Sequence, residues 1–129
     1  MNNRQRIMVV DDDQNMLRIL NRTLELEGYD AIVVADGNSA LSLLENISPD
    51  LVILDIMMPE PDGIRTLELI RERSNVPVIM LTAMNEERTM ERSLSLGADD
   101  YVRKPFSTKS LIARIRAKLR RARHEVLQP

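Results

Sequence analysis

Residues 6–15 read RIMVVDDDQN: Arg6, the apolar run Ile7–Val10, the acids Asp11, Asp12 and Asp13, then Gln14 and Asn15. Four apolar residues without polar alternation are the mark of a strand buried on both faces, which occurs where helices cover both sides of a parallel sheet. The acids that follow need a reason. Two carboxylates about 4 Å apart repel by roughly 4 kcal/mol at an effective dielectric near 20. A fold that gathers such charges has a cation or a proton to hold there.

Working outward, β-rich runs recur at Ala31–Ala35, Leu51–Leu54, Val76–Leu81 and, more weakly, Asp100–Arg103. Helical spacing fills the intervals. Leu17, Leu20 and Leu24 stripe a segment that stops at Gly28, Leu41 and Leu44 mark a second, and Ile64, Leu67 and Ile70 a third. Met90 and Leu94 mark a poorly apolar fourth that stops at Gly97; Leu111, Ile115 and Leu119 mark a fifth with Ser107 placed to cap it. Five strand–helix units in succession predict an α/β fold, a doubly wound five-stranded parallel sheet. From about Arg120 the chain reads as a tail, so residues 1–122 are expected to form the domain and 123–129 a tail or the start of a linker.

The bulk figures agree with one globular domain: 129 residues, 43% hydrophobic and 29% charged, with a net charge of −2. The charge is uneven, with acids loading the first half and bases dominating from Arg103 to His124. Without cysteine, no disulfide, thiolate nucleophile or thiolate metal site is available. No apolar run approaches a membrane span and residues 1–6 lead straight into a strand, which predicts a cytoplasmic protein without a membrane partner. Tyr29, Tyr101 and Phe106 are the only aromatics, too few to stack nucleic-acid bases.

In an open doubly wound sheet, ligands bind at the carboxyl ends of the strands. Asp11–Asp13 follow the first strand, Asp55 ends the third, Thr82 the fourth and Lys104 the fifth. Each has a local reading as well: a strand-ending Asp or Thr often caps the next helix, Asp62-Gly63 reads as a turn, and Lys104 before Pro105 as a loop lysine. Convergence at one end of four strands favours a site. Its oxygens suit a hard cation such as Mg²⁺, bound through one or two carboxylates and a phosphate. An ionised Asp55 needs no general base to attack phosphorus, and phosphoryl transfer depends mainly on positioning and charge neutralisation.

VVDDD (9–13), LVILDIMMPEPDG (51–63), VIMLTA (78–83) and GADDYVRKPFS (97–107), in this order and spacing, resemble the receiver domain of two-component response regulators. The resemblance covers about residues 5–122. It implies a flavodoxin-like (βα)5 fold with strand order 2-1-3-4-5. It also implies a phosphorylation-activated switch: Asp55 would accept a phosphoryl group from a sensor histidine kinase, Lys104 would pair with that group and Thr82 would close on it. Tyr101 would rotate inward behind Thr82. Asp12 and Asp55 would ligate Mg²⁺ directly, Asp11 through water, and Met57 through its main-chain carbonyl. A cis peptide would precede Pro105. Such a domain assists its own phosphorylation and dephosphorylation at Asp55 but is otherwise not an enzyme.

The last helix, SLIARIRAKLRR, resembles the OmpR/PhoB-type subfamily, whose members dimerise on phosphorylation through the fourth helix, fifth strand and fifth helix. That resemblance implies ion pairs between copies from Asp100 to Arg114 and from Asp99 to Arg116. A third pair would need a base at Met90 and an acid at Ser110, and both are missing here. Glu60 and Pro61 also depart from the usual Gly and apolar residue. Two other readings are weaker. A haloacid-dehalogenase-type phosphatase would share a D-x-D after the first strand, but this chain lacks the acids such enzymes carry at the end of the fourth, where it has Thr82. The basic last helix as a DNA contact competes with a solvated face over the core; DNA binding and transcriptional control would instead fall to a winged-helix effector domain outside these residues.

Overall fold

The structure is a computed structural model and describes residues 4–84 and 86–127. Elements alternate as expected: β1 Arg6–Val10, α1 Gln14–Leu26, β2 Asp30–Val34, α2 Gly37–Ile47, β3 Leu51–Leu54, α3 Gly63–Arg71, β4 Val78–Thr82, α4 Glu87–Ser95, β5 Asp100–Arg103 and α5 Thr108–Leu127. The five strands form one parallel sheet in the order β2-β1-β3-β4-β5. This is the predicted doubly wound topology.

Unalternated apolar strands are explained by what covers them. Ile7, Val9, Leu51, Ile53, Ile79 and Leu81 point to one face, where α1 and α5 bury Leu17, Leu20, Leu24, Leu111, Ile115 and Leu119. Met8, Val10, Val52, Leu54, Val78 and Met80 point to the other, against Ala40, Leu41 and Leu44 of α2 and Leu67 and Ile70 of α3. Successive strand residues face opposite sides, so both faces demand apolar side chains. Each fully buried Leu, Ile or Met contributes roughly 1.5–3 kcal/mol. The helix α4 is the exception, since Ser93 is its only fully buried residue.

Helix ends follow local chemistry. Asp13, Asp36 and Asp62 cap α1, α2 and α3 by accepting backbone N–H groups. The Ser107 hydroxyl accepts the N–H of Ser110 at the start of α5. Gly28 and Gly97 take positive φ just past α1 and α4, as the predicted stops require.

Two boundaries differ from the sequence reading. The fourth strand starts at Val78 rather than Val76, because Pro77 has no N–H and the Val76 carbonyl accepts from Arg71 instead. The last helix does not give way to a tail near Arg120 but runs on to Leu127. Gln128 and Pro129, the end of the expected tail, lie outside the described residues.

Arg71 ties together the sheet end opposite the acids. Its Nε and Nη2 donate to the Gly97 carbonyl at 2.9 and 2.8 Å, and Nη1 donates to the Ser74 and Val76 carbonyls at 3.2 and 2.7 Å. A further Nη2 bond reaches Asp99 Oδ2 at 3.0 Å, so all five guanidinium N–H groups are used. Burial pushes the Arg71 pKa down and the neighbouring Asp99 opposes that. A Cβ at position 97 would lie 2.9 Å from Arg71 Nε, so the glycine serves this contact as well as its own φ.

Candidate functional site

The sheet ladder carries on past the strands and fixes the backbone of the site. The N–H of Asp11 donates to Val34 O, that of Asp55 to Val10 O, and that of Lys104 to Thr82 O, at 3.1, 3.0 and 2.9 Å. Each functional residue is therefore held by the strand beside it. In-register pairing, such as Val10 with both Val34 and Leu54, brings these ends to one place.

The three consecutive acids divide into separate tasks. Asp13 is a helix cap, accepting from Asn15 and Met16, as the local reading had it. Asp12 is exposed, whereas Asp11 is only 2% exposed and Asp55 only 6%. Carboxylate oxygens of Asp11, Asp12 and Asp55 all lie within 4.8 Å of one another. Lys104 Nζ sits 2.8 Å from Asp11 Oδ2 and 3.7 Å from Asp55 Oδ2. Asp11 Oδ1 also accepts the N–H of Asp13 at 3.0 Å, and Asp55 Oδ1 that of Met57 at 3.3 Å. Burial raises the Asp11 pKa above the usual carboxylate value, against the opposing bond from Lys104.

Three carboxylates face one ammonium, so a fully ionised pocket carries a charge of −2. Hard oxygen donors with that excess charge fit a divalent cation such as Mg²⁺, which is the group the resemblance implies. Asp11, Asp12 and Asp55 are the side chains placed to hold it.

Thr82 is fully buried, and its Oγ1 accepts the N–H of Met84 at 3.3 Å. The Tyr101 hydroxyl donates to the carbonyl of the same Met84 at 2.6 Å. Thr82 and Tyr101 thus both hold one residue of the loop leading to α4. Tyr101 is buried in the core beside Met80 and Met84. Burial raises its phenol pKa above the ordinary value. The Lys104–Pro105 peptide is cis, as the resemblance implied, and so is Glu60–Pro61, which nothing in the sequence suggested.

Gly63 is a site residue that sequence reasoning treated as part of a turn. A Cβ there would lie 2.1 Å from the Asp55 carbonyl oxygen and 2.5 Å from Ile56 Cα. Its N–H donates to Ile56 O at 3.0 Å. The start of α3 thus presses directly on the backbone of Asp55, and only glycine permits the approach. The Asp62-Gly63 pair, close after the strand-ending acid, was the available clue. Pro61 fills the junction beside it: a Cβ on Gly37 would meet Pro61 Cγ at 3.0 Å, and Thr66 donates to the carbonyls of Pro61 and Asp62.

The charged residues expected to join two copies each have a partner within the chain. Asp100 Oδ1 lies 2.7 Å from Arg114 Nη1. Arg116 pairs with Glu27 at the end of α1, at 2.7 Å. Asp99 Oδ2 accepts from Arg71 and from the N–H of Val78 at 2.8 Å. Met90 is half-buried on α4.

Residues 7–116 match the profile of the response regulator receiver domain family. The chain is 47% identical over 122 residues to the DNA-binding response regulator MtrA of Mycolicibacterium smegmatis, an alignment covering 95% of this chain and 54% of that protein. It therefore spans about half the length of the curated relatives it matches. A CheY-like receiver domain from Methanospirillum hungatei superposes with a TM-score of 0.90 at 32% identity, covering 95% of this chain and 99% of that one. The beryllofluoride-activated receiver domain of Klebsiella pneumoniae RstA superposes at 0.87, also with 32% identity, covering 90% and 99%. No helix among the described residues is long and apolar enough to cross a membrane. The sheet order, the acids at its carboxyl end and the profile match agree, and this chain belongs to the response regulator receiver domain family.

Proposed function

We propose that this domain is a phosphorylation-activated signalling switch with Asp55 as its acceptor. The observation that carries the proposal is the Asp55 carboxylate, buried at a strand end between Asp11, Asp12 and Lys104. A carboxylate oxygen of Asp55 attacks phosphorus of a phosphohistidine on a sensor kinase; the P–N bond breaks, the leaving imidazole takes up a proton, and an acyl phosphate forms. Asp11, Asp12, Asp55 and the Met57 carbonyl would hold Mg²⁺, which would supply charge neutralisation for the transferred group. Lys104 shifts from Asp11 toward the new charge. Thr82 Oγ1 exchanges the Met84 N–H for the phosphoryl group, and through Met84 the change reaches Tyr101 and α4.

The domain assists its own phosphorylation and dephosphorylation and turns over no other substrate. It works in the cytoplasm and, with an effector domain of the kind named in its DNA-binding relatives, controls transcription as a dimer formed through α4, β5 and α5. The test is intact-mass spectrometry after incubation with acetyl phosphate and Mg²⁺. Wild type gains one phosphoryl group and Asp55→Asn gains none. Full labelling of Asp55→Asn sinks the assignment.

A further inference from the structure

Apart from the acidic pocket, a cleft of about 440 Å³ lies between the start of α3 and the helix α4. That volume falls within the range of small-molecule sites, roughly 300–1,000 Å³. Ile56, Ile64 and Met84 supply its apolar wall. Ile56 is buried, whereas Ile64 and Met84 are half-buried and present apolar surface to an occupant.

The charges of the cleft are uncommitted. Arg88 and Arg92 line it one turn apart on α4, and like charges at that spacing repel each other. Neither guanidinium has a hydrogen-bond or ion-pair partner among the described residues. Glu86 also lines the cleft but stands two residues before Arg88, a spacing that does not bring side chains together on a helix. Asp62, on the α3 side, accepts the N–H of Arg65 through Oδ1, and its Oδ2 has no partner among the described residues.

Three chemistries therefore meet in one cleft. Paired guanidiniums match the shape and charge of a phosphate. The carboxylates accept N–H or O–H donors. A methionine thioether beside isoleucine suits the face or edge of an aromatic ring. A bare phosphate would leave the apolar wall uncovered, and a fatty acid would set both carboxylates against hydrocarbon. We propose that the cleft binds a nucleotide, with its phosphate on Arg88 and Arg92 and its base against Ile64 and Met84. Asp62 and Glu86 accept from its amino or hydroxyl groups.

Met84 gives the site a consequence, because Thr82 and Tyr101 both hold it, at 3.3 and 2.6 Å. When phosphorylation draws Thr82 off Met84, as proposed above, a wall of the cleft moves. A nucleotide bound against the present arrangement of Met84 opposes activation, and activation lowers nucleotide affinity by the same factor. This coupling rests on the proposed relay; the binding site does not.

Titration calorimetry on the chain without Mg²⁺ tests the site, using AMP, GMP, ribose 5-phosphate and inorganic phosphate as probes. One nucleotide or both should bind about tenfold or more tighter than either smaller phosphate. Arg88→Glu/Arg92→Glu should lose that binding by about tenfold or more, and Ile64→Ser should weaken nucleotides while leaving inorganic phosphate unchanged. Acetyl phosphate labelling of Asp55, unchanged in these variants, shows that the fold and the acceptor are intact. The site is refuted if neither nucleotide binds, if inorganic phosphate binds as tightly as they do, or if the charge-reversed variant binds like wild type. Addition of beryllofluoride should lower nucleotide affinity several-fold relative to Mg²⁺ alone. An unchanged affinity overturns the coupling and leaves the site standing.

Discussion

Lys104 stands nearer to Asp11 than to Asp55, at 2.8 Å against 3.7 Å. Both carboxylates are buried, and the bond from Lys104 opposes the cost of burying the Asp11 charge. In this arrangement Lys104 is a structural counter-ion to Asp11.

Removing that counter-ion should therefore cost stability that a cation can restore. Lys104→Met leaves Asp11 with only the N–H of Asp13, and should lower metal-free stability by about 1–3 kcal/mol at neutral pH. The raised Asp11 pKa gives the sign of the pH effect. The neutral form is favoured in the fold, so the stability it contributes is present below the ordinary carboxylate value and is lost as pH rises through the raised one. The variant's deficit should consequently shrink in acid. Millimolar Mg²⁺ should raise its melting temperature more than that of wild type, and an equal response in both would refute the counter-ion role.

Tyr101 should show itself at the alkaline end. Its phenol is buried and donates to Met84 O, and a phenolate cannot donate. With a raised folded-state pKa, its contribution is fully present below the ordinary phenol value and is lost as pH rises through the raised one. In an ultraviolet titration one of the two tyrosines should ionise late, and Tyr101→Phe should remove that late step. The same variant should lose about 1 kcal/mol in urea unfolding at neutral pH. Persistence of the late step would place the buried phenol elsewhere.

The contact of Gly63 with the backbone of Asp55 predicts an effect out of proportion to one methyl group. In Gly63→Ala the new Cβ, 2.1 Å from the Asp55 carbonyl oxygen, must push α3 or the Asp55–Ile56 backbone aside. We expect a loss of about 1–3 kcal/mol by urea unfolding. Slower acetyl phosphate labelling of Asp55 should accompany it. Wild-type labelling in a fully folded variant would show that the close approach does not position the acceptor.

Short-range pattern determined much of this protein. Ile7–Val10 and Leu51–Leu54 lack alternation because both their faces are covered, and the leucine stripes of α1 and α5 state which sides the helices bury. Asp55, Thr82 and Lys104 were legible because a parallel sheet delivers the residues after its strands to one edge. Tertiary structure decided what depends on contacts between distant segments. Nothing local separates Asp11 from Asp12 and Asp13, yet one is buried against Lys104, one is exposed, and one caps a helix. The partner of Arg116 lies 89 residues away just past α1, and that of Asp99 lies 28 residues away on α3, so the charges of the α4–β5–α5 face could not be assigned before the helices were packed. Periodicity reports which face of an element is buried, because burial acts on each residue in turn. An ion pair needs two side chains within a few ångströms, and for residues far apart in sequence only packing sets that distance.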